Sequence, residues 1–240
     1  MKSAFPATHW SLIFEAGRQH TPGARQAFAL LCEAYWQPAY AYLRRLGCSV
    51  DEAQDLVQEF FVRLLEKPVL HRADPEWGRF RSLLRVSLKH FLLSDRARSQ
   101  ARKRDIRLLT VFSDLESAES WCRLELMDRE TPERAYDRRW ALAVLDRVMN
   151  RLRAEFVRAG KVRLFDALKP HLTCEADPSS YRRLAADLDM AEGTVRVAVH
   201  RLRRRYTAVL HDEIGLTVTT PEEIADEIRY LRSVIGGSGA

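Results

Sequence analysis

Apolar residues recur along the chain at steps of three and four, and no long stretch alternates apolar and polar residues with a period of two. This periodicity is typical of amphipathic helices, because half-buried strands alternate instead. Helix-start signals agree with it. Thr21-Pro22 and Thr131-Pro132 place proline in a first turn, and Ser49–Glu52 and Thr220–Glu223 have the spacing of a capping box. We therefore expect an all-α protein.

The predicted helices follow one another with short breaks. In chain order they cover residues 8–17, 21–47, 49–66, 77–103, 131–160 and 161–172, then two helices within 181–206 and a short one after Thr220. Pro38 is a candidate kink in the second helix, and 177–180 is predicted to be a turn. The positions predicted to face the core in helices two to four are Phe28, Leu31, Tyr35, Trp36, Ala53, Leu56, Val57, Phe60, Phe61, Leu64, Leu65, Phe80, Leu84, Leu88, Phe91 and Leu92.

The outward side of the predicted 49–66 helix is acidic. At about 100° per residue, its polar side chains lie opposite the apolar stripe. They are Glu52, Asp55, Glu59, Arg63 and Glu66, with Gln58 at the margin. Such a face is either simply solvated or suited to docking a basic partner, to which it gives steering and register.

Charge is distributed unevenly. The 240 residues include 39 Lys and Arg against 33 Asp and Glu, a net charge of +6. Residues 79–107 hold ten basic side chains against two acidic ones, whereas 108–130 hold six acidic against two basic. Residues 181–206 are basic again, with seven arginines against three acids. Two basic blocks with an acidic connector suggest two surfaces for one polyanion, such as a nucleic acid.

The segment 181–206 has the spacing of a helix-turn-helix. Residues 181–188 form a short amphipathic helix, Asp189–Ala191 a tight turn, and Val195, Val199, Leu202 and Tyr206 the inner stripe of a second helix. Away from that stripe lie Arg196, Val197, His200, Arg201 and Arg204, which are placed to enter a major groove, with Arg203 and Arg205 flanking. A solvated basic helix is the alternative.

With both halves in view, the chain resembles bacterial RNA polymerase sigma factors of the extracytoplasmic-function type. The resemblance covers about residues 24–107 and 135–212, and its most specific parts are Asp51–Phe61 and Leu188–Arg196. It implies a polymerase- and minus-ten-binding domain at 1–107, a linker at 108–130, a minus-thirty-five-binding domain at 131–212 and an acidic extension at 213–240. Core RNA polymerase and promoter DNA, both duplex and melted, are the implied partners. An anti-sigma factor is left open as a further one.

The resemblance also implies roles for particular residues. The residues that it implies for polymerase binding are Asp55, Gln58 and Glu59. The residues that it implies for binding the minus-ten element and its melted strand are Phe80, Arg81, Arg85, Lys89, His90, Arg96 and Arg98. Phe80, and Phe91 on the same predicted helix, are equally suited to the core. The residues that it implies for binding the minus-thirty-five element are Thr194, Arg196, Val197, His200, Arg201 and Arg204.

Some positions depart from the family pattern. Leu83 and His90 replace a common tryptophan and asparagine, Asp189 replaces the usual glycine of the turn, and Ala191 replaces a hydroxyl N-cap. The terminal extensions are expected to pack on the two domains. A further hypothesis is that the acidic tail 207–240 weakens the binding of free DNA.

Other classes explain less of the chain. A stand-alone helix-turn-helix regulator accounts for 181–206 but not for the acidic helix or the larger basic block. An enzyme is disfavoured because the sequence has no nucleophile constellation, glycine-rich phosphate loop or metal-ligand spacing, so no catalytic residue, metal or cofactor is predicted. The four cysteines are scattered along the chain, which favours reduced thiols over a disulfide framework. With no apolar run of membrane-spanning length and no secretion signal, a cytoplasmic location without membrane insertion is expected.

Overall fold

A computed structural model of the chain describes residues 22–66, 79–96, 130–172, 178–216, 218 and 220–236. Within these ranges all regular structure is helical, which confirms the all-α class. The helices are α1 (Pro22–Arg45), α2 (Val50–Glu66), α3 (Phe80–Arg96), α4 (Pro132–Arg158), α5 (Val162–Leu168), a 3-10 turn (Lys169–His171), α6 (Pro178–Leu188), α7 (Glu192–Gly215) and α8 (Pro221–Gly236). The helix predicted at 8–17 and the linker predicted at 108–130, apart from Glu130, lie outside the described residues.

Both predicted capping boxes are present. The Ser49 amide donates to Glu52 Oε2 at 2.8 Å and the Glu52 amide donates back to Ser49 Oγ at 3.3 Å. At the start of α8 the corresponding distances between Thr220 and Glu223 are 3.1 and 3.4 Å. Each box satisfies two backbone donors that the first helical turn leaves without a partner. Because the box is a local four-residue pattern, these helix starts can be predicted from the sequence.

Three helices end through a left-handed residue. Gly47 follows α1 with a φ of 91°, Gly160 follows α4 with 68°, and Asp189 follows α6 with 52°. After α4, the Gly160 amide donates to Val157 O at 3.0 Å and the Lys161 amide to Phe156 O at 2.8 Å. This is the Schellman pattern, which satisfies the last carbonyls of a helix and turns the chain sharply.

Some predicted helix details are wrong. Residues 178–180 are the first turn of α6 rather than a turn before it, because proline suits the first helical position, where its missing N–H costs nothing. Leu65, predicted to face inward, is 42% exposed. It lies at the edge of the apolar stripe in the last turn of α2, where Leu64 fills the core instead. Helix α1 is one continuous element that contains Pro38, and the kink there stays a prediction.

By their contacts the residues form two compact units. Unit 1 contains residues up to 143 and from 215 onward, and unit 2 contains 144–214. The domain boundaries expected at 107, 131 and 213 stay predictions, because residues 97–129 lie outside the described ranges. The first turns of α4 belong to unit 1, where the Tyr136 ring lies 6.5 Å from Tyr42 and its hydroxyl donates to Arg81 O at 3.2 Å. The C-terminal helix α8 also belongs to unit 1.

The core of unit 1 is rich in aromatic rings. Tyr35 packs edge-on against Phe80 with 5.4 Å between centroids, and Phe60 lies 5.7 Å from Phe91. All five core positions predicted for the basic helix are buried: Phe80, Leu84, Leu88, Phe91 and Leu92. These contacts join α1, α2 and α3 and fix which faces of α2 and α3 remain outside.

Unit 2 consists of the rest of α4 with α5, α6 and α7. Its core includes Val148, Leu152, Phe165, Val199 and Leu202, each at most 2% exposed. Ion pairs run along α4 and α7, and they join Arg147 to Glu213 at 2.5 Å, Arg151 to Asp212 at 3.0 Å and Arg205 to Glu155 at 2.6 Å. None of the helices in the described ranges is long and apolar enough to cross a membrane.

Candidate nucleic-acid and polymerase interface

The acidic face of α2 is turned outward by the burial of its opposite side. Ala53, Val57 and Phe61 are at most 2% exposed, whereas Asp55 is exposed and Gln58 and Glu59 are half-buried. Of the three predicted polymerase contacts, Asp55 therefore presents the most accessible charge. Glu59 forms an ion pair with Arg63 one turn along, which partly neutralises it. The hydrogen bond from the Ser49 amide lowers the pKa of Glu52 at the start of the same helix.

The predicted single-strand surface on α3 divides into an outer and an inner set. Lys89 and His90 are exposed, and Arg85 is half-buried. Phe80 and Arg81 are 1% and 5% exposed, so both lie inside unit 1 rather than on its surface. Arg96 is the last residue of α3, its side chain lies outside the described set, and Arg98 lies outside it entirely.

A cavity of about 340 Å³ opens beside His90. Phe60, Arg63 and Leu64 of α2 line it together with Ser87, His90, Phe91 and Ser94 of α3. The Arg63 guanidinium lies 4.9 Å from the Phe91 ring centroid, within cation–π range. Phe91 itself is 7% exposed and packs on Phe60, so it acts as a core residue.

The buried Arg81 is the centre of an ion cluster. Its Nε donates to Glu227 Oε1 at 2.6 Å and its Nη1 to Asp137 Oδ1 at 3.0 Å. Arg79 Nε reaches Glu227 Oε2 at 2.7 Å, and Arg85 pairs with Asp137. The cluster therefore joins three helices of unit 1, namely α3, α4 and α8.

Tyr230 of α8 completes this cluster. Its hydroxyl donates to Asp137 Oδ2 at 2.7 Å, and its ring lies 4.1 Å from the Arg81 guanidinium. The Trp140 ring lies 4.8 Å from the same guanidinium. Burial on its own lowers the pKa of Arg81, but the hydrogen bond and charge of Glu227, with the charge of Asp137, outweigh it and raise that pKa.

Sequence reasoning missed the partners in this cluster. Asp137, Glu227 and Tyr230 carried no predicted role, because Glu227 lies 146 residues from Arg81 in the chain. The capping box at Thr220 predicted the helix that carries Glu227, but no local pattern indicates which surface that helix covers.

In unit 2, the turn between α6 and α7 has the predicted tight form. Asp189 occupies the left-handed region, and the Met190 amide donates to Ala185 O at 2.9 Å. Aspartate is tolerated at such a position better than most side chains. Val195 and Val199, in the first two turns of the following helix, are both buried. Their burial fixes the rotation of α7 about its own axis.

The side of α7 away from its buried stripe presents every predicted minus-thirty-five contact. All six are exposed: Thr194, Arg196, Val197, His200, Arg201 and Arg204. Arg196 is held by Glu192, which accepts from its Nη2 at 2.7 Å, and it lies 5.1 Å from the Tyr181 ring. Because these partners are themselves exposed or half-buried, they orient the guanidinium without removing it from solvent.

A groove of about 490 Å³ runs along one edge of this surface. Thr194, Val197 and Arg201 line it from α7, and Phe156 and Leu164 line it from α4 and α5. These three predicted contacts thus share a partly apolar groove. Arg205, which also lines it, is bound to Glu155, and their hydrogen bonds lower the pKa of Glu155 and raise that of Arg205.

The arrangement offers charged, polar and apolar surfaces for binding. No group of three or more His, Cys, Asp or Glu in the described ranges is placed to hold a metal ion. Burial raises the pKa of the Cys32 thiol to about 12, so that thiol is a packing group. No family model, curated protein or solved structure matches the chain.

Proposed function

We propose that the chain is a sigma factor that binds core RNA polymerase, directs it to specific promoters and assists the melting of promoter DNA. The observation that carries the proposal is the presence of one acidic and two basic surfaces in one chain. Unit 1 exposes Asp55 on α2 and Lys89 and His90 on α3, and unit 2 exposes the arginine-rich side of α7. An acidic face suits a basic partner protein, and the two basic faces suit DNA.

In this proposal unit 2 acts as a helix-turn-helix. Helix α7 enters the major groove of the minus-thirty-five element, with Arg196 and Arg201 as the candidates for bidentate contacts to guanine. The fixed left-handed turn at Asp189 and the burial of Val195 and Val199 support this role, because they hold the exposed side chains in one register.

Unit 1 is proposed to serve the polymerase and the melted strand. Asp55, Gln58 and Glu59 would dock on the polymerase, and Lys89 and His90 would contact the minus-ten strand. Strand opening then needs no catalytic side chain, because binding of the unstacked bases offsets an unpairing cost of a few kcal/mol per base. A protein with this role acts in the cytoplasm, where transcription takes place.

The second candidate function is a stand-alone transcriptional regulator. The exposed side of α7 favours it equally, since a helix-turn-helix needs no polymerase to bind duplex DNA. The two candidates differ in what Asp55 does, because only a sigma factor needs the α2 face for polymerase.

The test is a titration of the labelled full chain with core bacterial RNA polymerase. Asp55→Arg should weaken the complex about tenfold or more, equivalent to about 1.4 kcal/mol, because it sets like charges against each other. Glu33→Arg is the matched control, since Glu33 is an exposed acid on a different helix, α1. Equal affinity for the wild type and Asp55→Arg, or no complex at all, would sink the proposal.

A further inference from the structure

The C-terminal helix α8 places a buried carboxylate against two arginines at the start of α3. Glu227 is 0% exposed, and its two oxygens are shared by Arg79 at 2.7 Å and by Arg81 at 2.6 and 3.3 Å. Two guanidinium groups converging on one anion form an arrangement that binds a phosphodiester as readily as a carboxylate.

The same contacts neutralise the first turns of the basic helix. Arg79, Arg81 and Arg85 face two carboxylates, Asp137 and Glu227, so only one net positive charge remains in the cluster. The sequence places ten basic residues in 79–107, and the cluster takes the first three of them. With α8 seated, their attraction for an external polyanion is therefore largely cancelled.

The helix is attached by a narrow contact. Only Glu227 and Leu231 are buried among its described side chains, and the others are half-buried or exposed. The anchor consists of Leu231, Tyr230 and the ion pair of Glu227, and the ion pair adds little net stability because desolvation of both charges offsets much of their attraction. A competing anion that re-pairs the arginines removes that part of the anchor at small net cost.

We propose that α8 is an intramolecular competitor of nucleic acid, whose Glu227 occupies a phosphate-binding site formed by Arg79 and Arg81, so that strand binding to unit 1 requires α8 to be displaced. The inference rests on the proposed function in that α3 is taken to contact DNA. It adds a ligand site that is hidden in the free chain, and the helix that hides it.

The first test compares two charge-neutral variants of the full chain. Glu227→Gln removes the carboxylate that holds α8, and Glu222→Gln removes the same charge from an exposed position in the first turn of α8. Binding of a fluorescein-labelled single-stranded 20-mer is measured by anisotropy over a series of salt concentrations, with circular dichroism to establish that each variant is folded.

We expect Glu227→Gln to bind about tenfold more tightly than the wild type, and Glu222→Gln to bind like the wild type. The slope of log affinity against log salt should be similar for the two variants, because α8 is displaced in every complex and the same two arginines then contact phosphates. A folded Glu227→Gln variant that binds no more tightly than Glu222→Gln would overturn the inference.

Hydrogen exchange of the wild type supplies a second readout that does not depend on any variant folding. A saturating oligonucleotide should speed amide exchange in 221–236, and unchanged or slower exchange there would overturn the inference. If none of the chains binds the oligonucleotide, this inference fails as well. The proposed function is judged separately, since it also predicts a complex with core polymerase.

Discussion

Replacing Arg81 by methionine should lower the free energy of unfolding of unit 1 more than replacing any exposed arginine does. The Arg81 side chain is 5% exposed, and its carboxylate partners Asp137 and Glu227 are 7% and 1% exposed. Removing one member of a buried pair typically costs about 3 to 5 kcal/mol, because a desolvated charge loses its partner. Arg79 and Arg85 still contact the two carboxylates, so we expect a loss near the lower end, about 3 kcal/mol.

Tryptophan fluorescence is the appropriate assay for this loss. The five tryptophans are Trp10, Trp36, Trp77, Trp121 and Trp140, all within the sequence range of unit 1. Trp36 and Trp140 are buried in unit 1, and residues 144–214 contain no tryptophan, so urea titration followed by tryptophan emission reports on unit 1 and not on unit 2. Arg229→Met is the control, since its side chain is 77% exposed in a surface pair with Asp226, and it should change the free energy of unfolding by about 1 kcal/mol or less.

A double variant separates the ion pair from the packing. Arg81→Met combined with Glu227→Leu removes both charges of the Arg81–Glu227 pair, and we expect it to be more stable than Arg81→Met alone. The reasoning would be refuted if Arg81→Met lost less than about 1 kcal/mol. It would also be refuted if the losses of the two single variants simply added, since groups in contact do not behave independently.

Two further predictions concern unit 2. Arg196→Ala or Arg201→Ala should lower discrimination between cognate and altered minus-thirty-five sequences by about 1 to 3 kcal/mol if the side chain contacts guanine bidentately, measured by competition binding of the polymerase complex. An equal loss on every sequence would remove the base-reading role. Glu155→Gln should reduce unfolding stability by about 0.2 to 1 kcal/mol at neutral pH, since the pair with Arg205 is partly exposed. Because Arg205 lowers the pKa of Glu155, this stability is present above the unfolded pKa of about 4.3 and is lost as the pH falls through the lower folded value. A difference between wild type and variant that grows on acidification, followed by far-ultraviolet circular dichroism, would contradict this account.

Features decided by near neighbours in the chain were predictable. The capping boxes at Ser49 and Thr220, the left-handed turn at Asp189 and the buried stripe of α3 all depend on residues within one or two turns. The exposed side of α7 followed in the same way from the burial of Val195 and Val199. Helical period fixes which face is buried once the apolar positions are known.

Features decided by distant residues were not predictable. Arg81 follows Phe80 at the start of a basic helix, so its sequence context indicates an exposed cation. It is buried because Asp137 and Glu227 approach from α4 and α8. The tail was expected to pack on the rest of the protein, but nothing in its own pattern selects the start of α3 as the place. Long-range ion pairs leave no periodic signal in sequence.

The central claim is tested most directly by promoter opening. The full chain is added to core bacterial RNA polymerase with duplex DNA from upstream of its own coding sequence, and the permanganate reactivity of thymines is mapped. We predict reactive thymines around the minus-ten position only when both the chain and the polymerase are present. Binding of duplex DNA by the chain alone, with no polymerase complex and no reactive thymines, would contradict the account and identify a stand-alone regulator.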